Sequence, residues 1–117
     1  MKPCPCCGTL VFEEEPGSYS SCPICYWEDD AVQLLDPAYR GGANRPSLKE
    51  SQENFGRCGA MEERFVEHVR APTPSDERDP TWRPVQAIDL VNPLRPVDLP
   101  ADQWRDDILY YWRRNTT

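Results

Sequence analysis

No run of apolar residues in this sequence approaches the about 18 needed to cross a bilayer. Aliphatic and phenyl side chains are scarce as well: Leu, Ile, Val and Phe make up only 21 of the 117 residues. That is below the roughly one-fifth at which a strongly charged chain starts to resemble a disordered one. Basic residues are few, with 13 Lys and Arg against 20 Asp and Glu, giving a net charge of −7 and a pI near 4.6. This balance argues against a duplex-DNA binder, which needs a basic footprint. Histidine occurs once, at His68, and no H-E-x-x-H, Walker loop or G-x-S-x-G motif is present. Internal repeats are absent too, and the expectation is a protein that is not an enzyme.

What the chain does have is six cysteines, four Trp and five Tyr. The aromatic side chains bury much surface each, but a core this thin needs a covalent or metal staple. No apolar segment near Met1 has the form of a secretory signal, so a cytoplasmic location is expected. In that reducing compartment clustered thiols hold metal more often than they form disulfides.

The cysteines fall into two Cys-x-x-Cys pairs, Cys4/Cys7 and Cys22/Cys25, with fourteen residues between them. Four thiolates in two such pairs suit one tetrahedral structural Zn²⁺. Both pairs carry proline second, as Cys4-Pro5-Cys6-Cys7 and Cys22-Pro23-Ile24-Cys25, and a fixed φ helps to fold a tight knuckle. Gly8 follows the first pair, where such a turn takes a positive φ. Cys-Pro-Ile-Cys alone would also suit thiol–disulfide exchange, but that motif belongs in a βαβ setting, and here the matching knuckle precedes it. Cys6, third in its knuckle, should point away from the metal as a spare thiol; the alternative is that it replaces Cys7. Cys58 reads as a small hydrophobe in a helical stretch, and His68 flanks an apolar helical face.

Thr9 to Phe12 is β-prone, Pro16-Gly17 signals a turn, and Tyr19-Ser20-Ser21 leads back into Cys22, which predicts a hairpin with metal knuckles at its base. Together with Cys-Pro-Cys-Cys-Gly, the Gly-Ser-Tyr, Cys-Pro-Ile-Cys-Tyr-Trp-Glu-Asp-Asp and Val-Gln-Leu segments resemble the small bacterial cysteine-rich proteins of the CPCC family. Asp36-Pro37-Ala38-Tyr39, Gly41-Gly42-Ala43-Asn44, Ser47-Leu48, Asn54-Phe55 and Gly59-Ala60 extend the similarity over residues 4 to about 74. The resemblance implies zinc binding and no particular activity.

The fold class expected is small α+β, one domain over 1–117, with a zinc-ribbon-like lobe at 1–35 and a helical segment at 45–70. Ser47-Leu48-Lys49-Glu50 is a capping box opening a helix to about Arg57. A second helical piece should span about 60–70, presenting Met61, Phe65, His68 and Val69. Residues 71–100 contain seven prolines and should form an extended arm on the domain. Residues 101–114 should form a terminal helix with a stripe of Trp104, Ile108, Tyr111 and Trp112, sharing a core with Trp82. Arg40-Gly41-Gly42-Ala43-Asn44 reads as a plain turn, with an anion cradle as the alternative.

Six of the first thirty residues are acidic and one is basic, so charge is concentrated on the ribbon. The functional expectation is a non-catalytic zinc protein that binds a basic protein partner through Glu28, Asp29 and Asp30. One form of this is an inhibitor or immunity protein of a toxin. The alternatives are a nucleic-acid-binding zinc ribbon and a thiol-based redox or metal-handling protein. Neither nucleic acid nor membrane is the expected partner.

Overall fold

The computed structural model describes residues 1–114. Two chain reversals organise its first third. At the first, the Gly8 N–H donates to the Cys4 carbonyl (2.7 Å) and the Cys4 N–H to the Thr9 carbonyl (2.8 Å). The flanks are thereby forced antiparallel as β1 (Lys2–Pro3) and β2 (Leu10–Phe12), with Lys2 opposite Phe12 and Pro3 opposite Leu10 across an irregular register. At the second, the Tyr26 N–H donates to the Cys22 carbonyl (2.8 Å) and the Cys22 N–H to the Trp27 carbonyl (2.9 Å). Ser21 then bridges Glu28, and Tyr19 and Ser20 exchange backbone bonds with Asp29.

This corrects the expected hairpin between residues 9–12 and 19–21. Each knuckle closes on its own flanks, because a reversal of a few residues costs less loop-closure entropy than one spanning the acidic turn. Residues 9 and 10 instead receive the arm: the Leu10 N–H donates to the Glu77 carbonyl, and Thr9 bridges Arg78.

A helix not expected from the sequence follows the second knuckle. Helix α1 (Ala31–Leu35) is capped by Asp30, whose carboxylate accepts from the N–H groups of Val32 (2.8 Å) and Gln33 (3.4 Å). It buries Ala31, Gln33, Leu34 and Leu35. Helix α2 (Leu48–Cys58) opens on the expected Ser47/Glu50 capping box and ends at Gly59, whose φ of +84° makes the left-handed cap. Beyond it, Glu63–His68 forms a 3₁₀ turn in place of the second helical piece. In that geometry residues three apart eclipse, so Phe65 and His68 both reach Tyr26.

The arm is irregular as expected, with 3₁₀ turns at Ala87–Leu90 and Pro96–Asp98. The terminal helix is corrected. It is divided into a 3₁₀ turn at Ala101–Gln103, α3 (Asp106–Leu109) and a further 3₁₀ turn at Tyr111–Arg113, with Tyr110 extended between the last two. Leu109, Tyr110, Tyr111 and Trp112 are consecutive and all buried. A continuous helix would spread four successive side chains around its whole circumference, so burial overrides propensity. Trp104 does not join this core; it is 37 % exposed. The core runs from the knuckles through Ile24, Trp27, Leu34, Leu35, Leu48 and Met61 to Leu109–Trp112. Among the described residues no helix is long and apolar enough to cross a membrane.

Candidate metal centre

The two knuckles bring the sulfurs of Cys4, Cys7, Cys22 and Cys25 within 4.8 Å of one another. Cys4 and Cys25 are 3.5 Å apart and Cys7 and Cys22 are 3.7 Å apart. A tetrahedron of sulfurs about 2.3 Å from a Zn²⁺ has edges of about 3.8 Å, so the donor set fits a four-coordinate metal ion with little adjustment. Cys4, Cys22 and Cys25 are wholly buried and Cys7 is 1 % exposed. Cys6 is also buried but stands outside the four-sulfur group. Its side chain borders an apolar cleft beside Phe55 and Trp82.

The electrostatics of the cluster call for a cation. Burial pushes the Cys4 and Cys25 thiols well up, whereas hydrogen bonds from Cys22, Cys25 and Cys4 hold Cys7 far below the ordinary thiol value. Four thiolates in one dry site repel and are poorly solvated; a bound dication removes both penalties. Around the sulfurs one backbone and one side-chain group supply polar contacts: the Ile24 N–H lies 3.4 Å from Cys22 Sγ, and the Thr9 hydroxyl oxygen lies 3.3 Å from Cys7 Sγ.

Each knuckle is also held from outside. At the first, Arg78 donates from Nη2 (2.7 Å) and Nε (3.3 Å) to the Cys7 carbonyl, while Trp82 Nε1 donates to the Pro5 carbonyl at 2.9 Å. The Asp79 N–H reaches the Gly8 carbonyl at 2.9 Å. At the second, the Met61 N–H donates to the Cys25 carbonyl (2.7 Å) and the Arg70 N–H to the Pro23 carbonyl (3.2 Å).

The family model described as "Cysteine-rich CPCC" matches residues 2–76, more than half of the chain. The chain belongs to that family. No curated protein matches it. In this CPCC protein the matched region contains both knuckles, α1, α2 and the 3₁₀ turn over Tyr26. Arg78, Asp79 and Trp82, which cover the first knuckle, lie beyond it.

The acidic residues singled out from the sequence are placed otherwise than expected. Asp29 is buried, accepting from the Ser18 hydroxyl (2.7 Å) and N–H (3.3 Å), and burial raises its carboxyl above the usual value. Asp30 is buried as the α1 cap and also accepts from the Ala43 N–H at 2.8 Å. Both carboxylates turn inwards, so neither offers an open contact face. Glu28 is half-buried, its backbone N–H and carbonyl bound by the Asn44 side chain. The glycine turn at 41–44 is likewise internal in its bonding. Gln33 Nε2 donates to the carbonyls of Tyr39, Asn44 and Pro46, and Gln33 Oε1 accepts from the Asn44 N–H. With Ala43 bound to Asp30, these backbone donors hold the turn and do not cradle an anion. His68 is exposed and stacks on Tyr26 at 5.4 Å between centroids, and Cys58 is half-buried with its thiol toward the Ala60 carbonyl.

The sequence reading missed Arg78, Asp79 and Trp82. Asp79 accepts from Thr81, from Trp112 Nε1 (3.2 Å) and from Arg113 Nη2 (2.6 Å). It thereby ties the arm and the terminal segment to the first knuckle. Burial penalises its carboxylate, but these hydrogen bonds outweigh that cost and hold its pKa below the ordinary value. Nothing local in the sequence marks these three residues, since their partners lie up to 77 positions away.

Proposed function

We propose that this protein is a non-catalytic, zinc-stabilised binding module that acts on a basic protein partner. The observation that carries the first half is the burial of all four sulfurs. A catalytic zinc keeps an open position for water or substrate, whereas a structural one is closed by four protein ligands. Four thiolates at these separations suit a tetrahedral Zn²⁺. Charge supports the second half. Glu13, Glu14 and Glu15 are exposed on the turn that joins β2 to the second knuckle, beside the part of the chain that the metal stiffens. Rigid surface charge speeds encounter with a partner of opposite sign and loses little ordering entropy on docking. An inhibitor or immunity protein covering a toxin's basic cleft would use this combination.

The test is capture on immobilised zinc-loaded protein from lysate at moderate salt, against a variant with Glu13, Glu14 and Glu15 changed to Lys. A basic protein held by the wild type and lost by the variant supports the reading. Retention of RNA or single-stranded DNA with no protein captured overturns it in favour of a nucleic-acid-binding ribbon.

A further inference from the structure

The strongest unassigned feature is the apolar cleft of about 590 Å³ between α2 and the 78–85 stretch of the arm. Phe55, Trp82, Pro84 and Val85 supply most of its apolar wall. Phe55, Trp82 and Val85 are each half-buried, so this surface is recessed. The large hydrophobic side chains that stand out into solvent, Tyr19, Ile88, Val91 and Val97 among them, do not border it. A recess within about 300–1,000 Å³ suits a small molecule, whereas a protein partner docks on a broader exposed patch.

Two residues indicate what that molecule is. Gly56 lies in the last turn of α2 and borders the cleft. The left-handed cap of that helix belongs to Gly59, Gly56 has no positive φ, and a Cβ on it would meet nothing within 4 Å. Neither the backbone nor the packing demands glycine there, and glycine weakens a helix. Its missing side chain leaves room for a flat group to lie against the helix.

Arg78 provides the polar contact. Its Nη2 and Nε donate to the Cys7 carbonyl at 2.7 and 3.3 Å, and its guanidinium carbon lies 5.1 Å from the centre of the Trp82 ring. Those bonds fix the guanidinium at the cleft and leave Nη1 for a ligand. Lys49 and Glu53, the other charged side chains of the lining, pair with each other at 3.1 Å. Among the described residues Arg78 forms no ion pair, so the cleft carries one uncompensated, oriented cation. One guanidinium beside an apolar wall matches a singly charged carboxylate; the second charge of a phosphate would go unpaired.

We propose that this cleft binds a small planar aromatic carboxylate, its ring over Gly56 beside Phe55 and Trp82 and its carboxylate on Arg78. The proposal is independent of the protein-partner reading, which concerns the acidic turn at 13–15.

The experiment is a titration of the zinc-loaded full chain, labelled with ¹⁵N, with 2-naphthoate, 2-naphthalenemethanol and acetate, read at the Gly56 N–H, Arg78 Nε and Trp82 Nε1 resonances. Saturable shifts are expected with naphthoate, binding about tenfold weaker with the uncharged alcohol, and none with acetate. The tenfold step is the loss of one charge-assisted contact. Gly56→Leu should abolish binding by filling the cleft. Position 56 is exposed and leucine favours a helix, so this variant should keep its zinc and melt no lower than the wild type. Arg78→Gln also loosens the first knuckle, so it is read as a ratio: the preference for acid over alcohol should disappear. Arg95→Gln, which removes an exposed arginine of the arm paired to Asp98, should keep that preference. Shifts that do not saturate with naphthoate overturn the proposal, as does undiminished binding by zinc-loaded Gly56→Leu. Equal affinity for acid and alcohol in the wild type overturns it too, and so does a preference that survives Arg78→Gln. Movement of the same resonances with protein concentration alone would overturn it and make the cleft a contact between copies of the chain.

Discussion

After the second thiol of the first knuckle comes Gly8, with φ +78°, and the Trp82 indole lies directly on it. At the same place in the second knuckle comes Tyr26, with φ +74° and its ring 4.6 Å from Phe65 and 5.4 Å from His68. The hydrogen bonds that close the two reversals are the same, and so is the pair of thiols each delivers. One position omits a side chain so that a distant residue can cover the turn. The other keeps a side chain and covers itself. A left-handed conformation costs a non-glycine residue roughly 1–2 kcal/mol, and aromatic contacts of about 0.5–1.5 kcal/mol each offset much of it. The second knuckle is thus completed within the region that matches the family, and the first is completed by residues beyond it.

The largest effect should ignore this asymmetry. Cys→Ser at Cys4, Cys7, Cys22 or Cys25 leaves three ligands, and each should lose zinc and unfold the ribbon. The coupling of structural zinc to folding is on the order of 10 kcal/mol. Cys6→Ser and Cys58→Ser should retain one zinc per chain. Metal analysis of the six variants reads this directly; full zinc in Cys7→Ser with loss in Cys6→Ser would mean that the wrong thiol has been assigned to the first knuckle.

The next should expose the asymmetry. A Cβ on Gly8 would stand 2.7 Å from Trp82 Cδ2 and 2.9 Å from Trp82 Cγ, closer than packed atoms tolerate, and the φ is strained for alanine. Gly8→Ala should therefore expel Trp82 and cost about 3 kcal/mol. It should raise Trp82 fluorescence accessibility and loosen residues 77–85 in hydrogen exchange while zinc stays bound. Unchanged exchange in the arm would show that Trp82 adds nothing to the first knuckle.

What the sequence made legible follows the same division. The ligand set, the positive φ at Gly8 and the Ser47/Glu50 capping box were readable because each depends on a few neighbouring residues. Helix α1 is not expected from the sequence because Glu28-Asp29-Asp30 reads as a charged contact face. The signal was there in Asp30 as a cap before Ala31–Leu35, and a cap that is itself buried cannot also be a contact face. The unbroken terminal helix was misread because periodicity places Trp104, Ile108, Tyr111 and Trp112 on one stripe. The protein buries four consecutive residues by breaking the helix at Tyr110. The cover of the first knuckle was not readable at all, since Arg78, Asp79 and Trp82 act across the fold.

A smaller effect probes the clasp that holds this cover. Asp79→Asn keeps the shape but weakens the bonds to Arg113 and Thr81, and should cost about 2 kcal/mol at neutral pH. Because the folded-state pKa of Asp79 is depressed, its contribution is complete above the unfolded value of about 3.9 and is lost as pH falls through the lower folded value. The stability gap between wild type and Asp79→Asn should therefore be constant near neutrality and close only in acid below about pH 4. A gap that closes nearer pH 6 would assign the dependence to another group.

The smallest effect is expected at the second knuckle. Tyr26→Gly relieves the left-handed strain and removes the contacts with Phe65 and His68, two terms of similar size and opposite sign. Glycine also adds freedom to the unfolded chain, which tips the balance toward loss. The net change should be a destabilisation under about 1 kcal/mol, with zinc retained and the first knuckle's arm unaltered. The local signature should be larger than the global one: with its stacking partner gone, the His68 ring should lose its ring-current shift, and Glu63–His68 should exchange faster. A melting-temperature loss as large as that of Gly8→Ala would mean that both knuckles depend equally on their covers, and that the difference between glycine and tyrosine at this position is one of shape alone.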